Sequence, residues 1–231
     1  MCIRDSHWVE RMDERPWTLV EADDRLLAGL GRPRCGHLDV SGAPPFDHVS
    51  PVSSSPITCG TSGRTRGLFG QTDGSVVSHT GDVLSVENGS IEHLTCMVKG
   101  YVATTDNGLA VGRTETGEQC WSSEGAPVAA QTEAMEHEGA SLLWLARAEG
   151  AGSSVHVWAT NQGGMVASGT FPKVRSMDGT AERAVIGCED GSVHVWDRTM
   201  LQRRLANQAA PSEGVDERTS ALQAKLRALR R

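Results

Sequence analysis

Apolar and polar residues alternate along most of this chain in short runs that break at glycine. The clearest runs are Ser154-Val155-His156-Val157-Trp158 and Ser192-Val193-His194-Val195-Trp196, 38 residues apart. Successive side chains of a strand point to opposite faces, so such alternation predicts strands with one buried face. The second run follows Arg183-Ala184-Val185-Ile186-Gly187-Cys188 and the turn Glu189-Asp190-Gly191. An Asp-Gly pair between two alternating runs supplies the positive φ angles of a tight hairpin.

The hairpin recurs. Arg66-Gly67-Leu68-Phe69-Gly70-Gln71 leads through Thr72-Asp73-Gly74 into Ser75-Val76-Val77-Ser78-His79. Tyr101-Val102-Ala103-Thr104-Thr105 leads through Asp106-Asn107-Gly108 into Leu109-Ala110-Val111-Gly112-Arg113. The longest apolar run, Ser141-Leu142-Leu143-Trp144-Leu145-Ala146, reads as a buried strand that passes through Gly150-Ala151-Gly152 into the first Val-His-Val-Trp segment. A first unit pairs Arg25-Leu26-Leu27-Ala28-Gly29 with Gly36-His37-Leu38-Asp39-Val40. Turn glycines thus fall at 36, 74, 108, 152 and 191, with spacings of 38, 34, 44 and 39 residues.

A repeat near 40 residues with two to four short strands is the signature of propeller blades, whose apolar faces are buried only by stacking on neighbours. Leu94-Thr95-Cys96-Met97-Val98 and Val174-Arg175-Ser176-Met177 read as first strands. Asp82-Val83-Leu84-Ser85-Val86, Glu118-Gln119-Cys120-Trp121 and Gly164-Met165-Val166-Ala167-Ser168 read as fourth strands. The expected fold is all-β: about five four-stranded blades in an open or incomplete ring over residues 7–210, followed by a C-terminal α-helix over 211–231. The Pro/Ser-rich stretch at 43–56 reads as a loop or an insertion between blades.

The segment Gly187-Cys188-Glu189-Asp190-Gly191-Ser192-Val193-His194-Val195-Trp196-Asp197 closely resembles the end of a WD repeat. The resemblance is closest over 174–206 and extends back to 93. In that family a Trp-Asp dipeptide closes the third strand and an Asp in the preceding turn braces the blade. The resemblance therefore implies structural roles for Asp190 and Trp196. With the recurring turns and strand ends, the expected blade residues are Asp73, Gly74, Asp106, Gly108, Trp158, Asp190, Gly191, Trp196 and Asp197. The chain departs from the family in lacking the Gly-His dipeptide early in each repeat, and Trp158 is followed by Ala159. One stretch, Asp106-Asn107-Gly108-Leu109-Ala110-Val111 with Thr116-Gly117-Glu118-Gln119-Cys120-Trp121, is similar instead to quinoprotein propellers. A single such unit does not call for a quinone.

Composition narrows the function. A net charge of −7 gives no general attraction to nucleic acid or anionic membrane. No apolar run approaches the length that spans a bilayer. The six cysteines contain no Cys-x-x-Cys pair, so they read as small buried hydrophobes in an intracellular, cytoplasmic protein. No nucleophile elbow, phosphate loop or His-Glu-x-x-His motif occurs, and no catalytic, cofactor-binding or metal-binding residue is expected. His156 and His194 occupy equivalent strand positions and are expected to pack on a polar face shared between blades, with metal ligation as the rarer reading. His137, between Glu136 and Glu138, reads as a solvated loop residue.

The ends carry two further expectations. Met1-Cys2-Ile3-Arg4-Asp5 resembles the translation of a sequencing-library adapter, so residues 1–6 are expected to be foreign and the native chain to start upstream. After Pro211, Ser212 caps a helix with Val215, Leu222, Leu226 and Leu229 along one stripe. That helix would either dock on its own blades or begin a coiled coil. The function expected from these features is a non-catalytic WD-repeat scaffold binding other proteins. The alternatives are a propeller enzyme with its site at the channel mouth and the C-terminal part of a coiled-coil assembly protein.

Overall fold

A computed structural model describes residues 12, 14–50, 53–63, 66–160 and 163–209. The expectations for residues 1–6 and 211–231 lie outside the described residues. Five antiparallel meanders follow one another. The first contains β1 (Pro16–Ala22), β2 (Arg25–Leu30), β3 (His37–Asp39) and β4 (Asp47–Val49). The second contains β5 (Ile57–Ser62), β6 (Gly67–Gln71), β7 (Ser75–Ser78) and β8 (Val83–Val86). The third contains β9 (Ile91–Met97), β10 (Gly100–Thr105), β11 (Ala110–Arg113) and β12 (Gln119–Ser123). The fourth contains β13 (Val128–His137), β14 (Ala140–Glu149), β15 (Gly152–Ala159) and β16 (Gly164–Pro172). The fifth has three strands, β17 (Val174–Gly179), β18 (Arg183–Cys188) and β19 (Val193–Asp197), and then helix α1 (Arg198–Ala209).

The first strands of successive sheets pack side by side, β1 on β5, β5 on β9, β9 on β13 and β13 on β17. They run in the same sense. Thr58, near the start of β5, donates its hydroxyl hydrogen to the carbonyl of Ile91 at the start of β9. Near the far ends, the Met135 amide donates to the Thr180 carbonyl at 2.9 Å. Sheets so arranged are propeller blades around a shared axis. The ring is not closed: Trp17 and Leu19 on the first sheet are 59% and 60% exposed, and Val193 and Val195 on the fifth are 63% and 51% exposed.

Each junction buries its own apolar cluster. Val20, Leu27, Ile57 and Phe69 join the first two sheets, and Leu68, Ile91, Leu94 and Tyr101 join the next pair. Val102, Val128, Leu143 and Leu145 follow, and Trp144, Val155, Val157, Val174 and Ile186 lie between the fourth sheet and the fifth. The apolar run at 141–146 is thus buried on both faces, as a central strand between two neighbours must be. Glycines let these faces approach closely. A β-carbon on Gly60 would lie 2.5 Å from Val20 Cγ2, and one on Gly70 would lie 2.5 Å from Ile91 Cγ2.

Three local expectations are corrected. The Pro/Ser-rich stretch at 43–56 contains β4, a short outer strand, and outer strands tolerate nearby prolines because one side of their backbone is unpaired. In the fourth blade the left-handed turn residue is Gly150, at φ 55°, while Gly152 already belongs to β15. After β19 the chain turns helical instead of adding a fourth strand. The Asp197 carboxylate accepts the Met200 amide at 2.7 Å as an N-cap. Leu201, four residues from the cap, is buried in the cluster between the fourth and fifth sheets, with Leu205 against it.

Two outcomes follow. Gly70→Val should overfill the junction of the second and third sheets and cost roughly 2 kcal/mol or more in chemical denaturation. Gly42→Ala, with open space around its α-carbon, should change stability by less than about 0.5 kcal/mol. The second outcome concerns His37, which stacks on Phe69 at 4.9 Å and is 5% exposed. Burial first, and then neighbouring His79 and His48, push its pKa down to about 4. The unfolded chain takes up this proton near pH 6.5 and the folded chain does not. Stability should therefore be full above about pH 6.5 and fall toward pH 4, by about 3 kcal/mol from this group. His37→Phe should flatten that slope in a pH series of denaturant midpoints.

Candidate interaction surface

Because the meanders run in one sense, every β2–β3-type turn of a blade emerges on the same rim. In the second to fifth blades that turn carries an outward acid: Asp73, Asp106, Glu149 and Asp190, all exposed. Glu124, in the connection leaving the third blade, adds a fifth exposed acid. None of these five forms an ion pair among the described residues, whereas Glu189 is neutralised by Lys173 at 3.4 Å and Arg175 at 2.9 Å.

The turns are held rigidly. Asp73 Oδ1 accepts the Ser75 amide at 3.0 Å, and Gly74 has φ 87° with its α-carbon pressed against the Glu87 carbonyl, where a β-carbon would sit 2.1 Å away. Asp106 Oδ1 accepts the Ser90 amide at 3.1 Å, and Gly108 has φ 86°. Asp190 Oδ1 accepts both the amide and the hydroxyl of Ser192, at 2.9 and 2.6 Å, beside Gly191 at φ 84°. These bonds hold the Asp190 carboxyl below its ordinary pKa, so it stays charged. The Asp190 bonds are local to its turn. Trp158 and Trp196, expected as blade residues, lie at blade junctions: Trp158 stacks on Trp121 at 5.6 Å, and Trp196 tilts against Trp144 at 6.0 Å. Asp197 caps α1.

His156 and His194 do not share a face. Val155 and Val157 point toward the fifth sheet, so His156 lies on the opposite side of β15, where burial and the nearby Arg147 lower its pKa. His194 sits edge-on to Phe171 of the fourth sheet at 5.1 Å. Each faces the blade before it. His137 ends β13, with Glu138 at 3.8 Å. Among the described residues no group of three His, Cys, Asp or Glu side chains could hold a metal ion.

Among the polar links between blades, those made by His79, Arg113 and Arg147 are absent from the sequence expectations and help to fix the rims in register. The Gly67 amide donates to Nδ1 of His79 at 3.3 Å, so the opposite nitrogen carries the proton and donates it to Asp23 at 2.9 Å across the first junction. Arg113 grips the Glu87 carboxylate with two nitrogens, one at 2.8 Å, and also donates to the Gly117 carbonyl at 2.7 Å. The bond to Glu87 raises the Arg113 pKa. Arg147 is 3% exposed and has no acid partner among the described residues. Its guanidinium instead donates to the carbonyls of Gly108 and Ala126, each at 2.7 Å, and of Ser123 at 3.1 Å. The cation thereby ties the fourth blade to the turn and exit of the third. Its signal in the sequence is a lone arginine directly after the apolar run at 141–146.

Arg147→Met should keep the volume but leave three carbonyls short of a donor, costing about 3 kcal/mol in denaturant unfolding. A cost below about 0.5 kcal/mol would contradict this assignment.

No family model and no curated protein matches this chain. Solved structures do resemble its fold. BBS1N, crystallised in complex with ARL6DN, superposes with a TM-score of 0.62 at 13% identity, covering 81% of this chain and 67% of that one. BamB from Moraxella catarrhalis gives 0.58 at 20% identity, covering 79% of this chain and 59% of that one. The β-propeller domain of Cps50 (Swd1) from Myceliophteria thermophila gives 0.58 at 11% identity, covering 75% and 66%. The chain spans about two thirds of the length of these proteins or less. Its fold is that of an open arc of β-propeller blades.

Proposed function

We propose that this chain is a non-catalytic scaffold of the WD-repeat type that binds another protein through the rim of its β2–β3-type turns, the partner surface being basic. The observation that carries the reading is the repeated outward acid, Asp73, Asp106, Glu149 and Asp190, set once in each of the second to fifth blades on turns tied to a rigid arc. Rigid strands with exposed loops suit recognition, since ordering costs are met by the fold before binding. That one structural neighbour was crystallised with a protein partner supports the class of function. The resemblance of 174–206 to a WD repeat supports the family. The five described cysteines are free, which fits the reading of an intracellular, cytoplasmic protein. In this reading the 211–231 segment offers a second contact as a helix or coiled-coil start. Nucleic acid and membrane are not partners of an acidic rim, and no cofactor is called for.

Asp73→Asn, Asp106→Asn, Glu149→Gln and Asp190→Asn combined would keep the accepting oxygens of the turns while removing four charges. Quantitative affinity capture should show a partner held by the wild-type chain at low salt, weakened by added salt and lost from the neutralised variant. An interaction set unchanged by the four substitutions would overturn the rim as the binding surface.

A further inference from the structure

Among the described residues nothing pairs with the outer edge of the fifth sheet. Ser192, His194, Trp196 and Arg198 direct their backbone groups toward β18, as the bonds between Cys188 and Ser192 and between Arg198 and Glu182 show. By the alternation of an antiparallel ladder, Val193, Val195 and Asp197 direct N–H and C=O groups outward. In the other four sheets that side is occupied by a fourth strand. Here the chain continues into α1 instead. Leu201 of this helix is buried in the cluster between the fourth and fifth sheets, with Leu205 packed against it.

A cavity of about 350 Å³ lies beside this edge, where a fourth strand would have covered β16. Trp144, Phe171, His194, Trp196, Leu201 and Arg204 are among its walls. Its lining is mostly apolar and aromatic, with one cation: the Arg204 guanidinium stands 4.5 Å over the Trp196 ring. Neither Arg203 nor Arg204 has an acid partner among the described residues.

We infer that β19 accepts an extended segment of a partner protein as the fourth strand of the fifth blade, apolar at alternate positions and carrying a carboxylate. Backbone groups of Val193 and Val195 would supply the ladder. One large apolar side chain would fill the cavity between Phe171 and Trp196, and the carboxylate would meet Arg204. An unpaired edge and an apolar cavity beside it are the two requirements of strand addition: the first gives affinity and the second selects side chains. The single cation sets the preference for an acidic strand. This deepens the scaffold reading, but the edge is not the acidic rim, so the two can fail separately.

A suitable probe exists within the chain. Residues 80–89 contain β8, a fourth strand flanked by Asp82 and Glu87. The synthetic 80–89 peptide is to be titrated into the full chain, with amide exchange at Val193 and Val195 and tryptophan fluorescence as readouts. Both amides should exchange freely without peptide. They should slow about tenfold or more with it, with half-saturation below about 1 mM. Val195→Pro removes an outward N–H and should abolish the protection read at Val193, while Arg204→Glu should weaken binding about tenfold. The wild-type exchange data stand even if either variant misfolds. Slow exchange in the peptide-free chain would mean that the chain's own residues cover the edge. Slowing that grows with protein concentration would mean that a second copy does. Either result overturns the inference, as does no response to millimolar peptide. An interaction set that the four rim substitutions leave unchanged, with peptide uptake intact, would sink the rim reading alone.

Discussion

A four-stranded antiparallel sheet has two faces, and a blade of this length can bury neither within itself. Everything else in this molecule follows from how those faces are shared. At each junction a layer of aliphatic or aromatic side chains meets its neighbour at glycine-assisted distance, as at Gly60 and Gly70. Polar links then fix the alignment: His79 with Asp23, Arg113 with Glu87, Arg147 with three carbonyls. The last junction adds aromatic contacts, Trp144 on Trp196 and Phe171 on His194, to the bonds of the Met135 amide with the Thr180 carbonyl and of the Val174 amide with the Ser153 hydroxyl. Stacking supplies most of the burial, while the buried polar groups make one register much better than its alternatives, because a shifted blade would strand a charge away from its partners.

The same constraint explains what the surface offers. With first strands aligned in one sense, equivalent turns arrive on one rim, and a residue repeated in sequence becomes repeated in space. The outward acids are therefore a consequence of register as much as of composition. At the two ends of the arc the faces have no neighbouring sheet among the described residues, and Trp17 and Leu19 at one end and Val193 and Val195 at the other are exposed. On the outer side of the fifth blade, capping by Asp197 diverts the chain into a helix and leaves an edge and a cavity together.

Much of the fold was legible in the sequence because strand alternation and turn chemistry are local. The turns at Asp73-Gly74, Asp106-Asn107-Gly108 and Glu189-Asp190-Gly191 fall between second and third strands as their residues require, and the outer strands around 82–86 and 164–168 are where alternation resumes. What escaped is long-range. Arg147 reads as a strand residue until the carbonyls of a different blade surround it. The valines at 193 and 195 repeat those at 155 and 157, yet one pair is exposed and the other buried, since only a neighbour decides. Asp197 belongs to a Trp-Asp dipeptide by resemblance, but the helix formers that follow it turn its carboxylate into a cap. The partner surface was least legible, because a rim is assembled from turns about 40 residues apart and its charge emerges only when they are aligned.

The stacking of one blade on the next in this register is tested most directly by a double-mutant cycle across a junction, using Glu87→Gln, Arg113→Met and the pair in denaturant unfolding. The two residues are 26 positions apart in sequence and belong to different blades. Their buried, two-nitrogen contact predicts a coupling of at least about 1.5 kcal/mol. Additive effects, with a coupling within about 0.3 kcal/mol of zero, would mean that these blades do not stack as described.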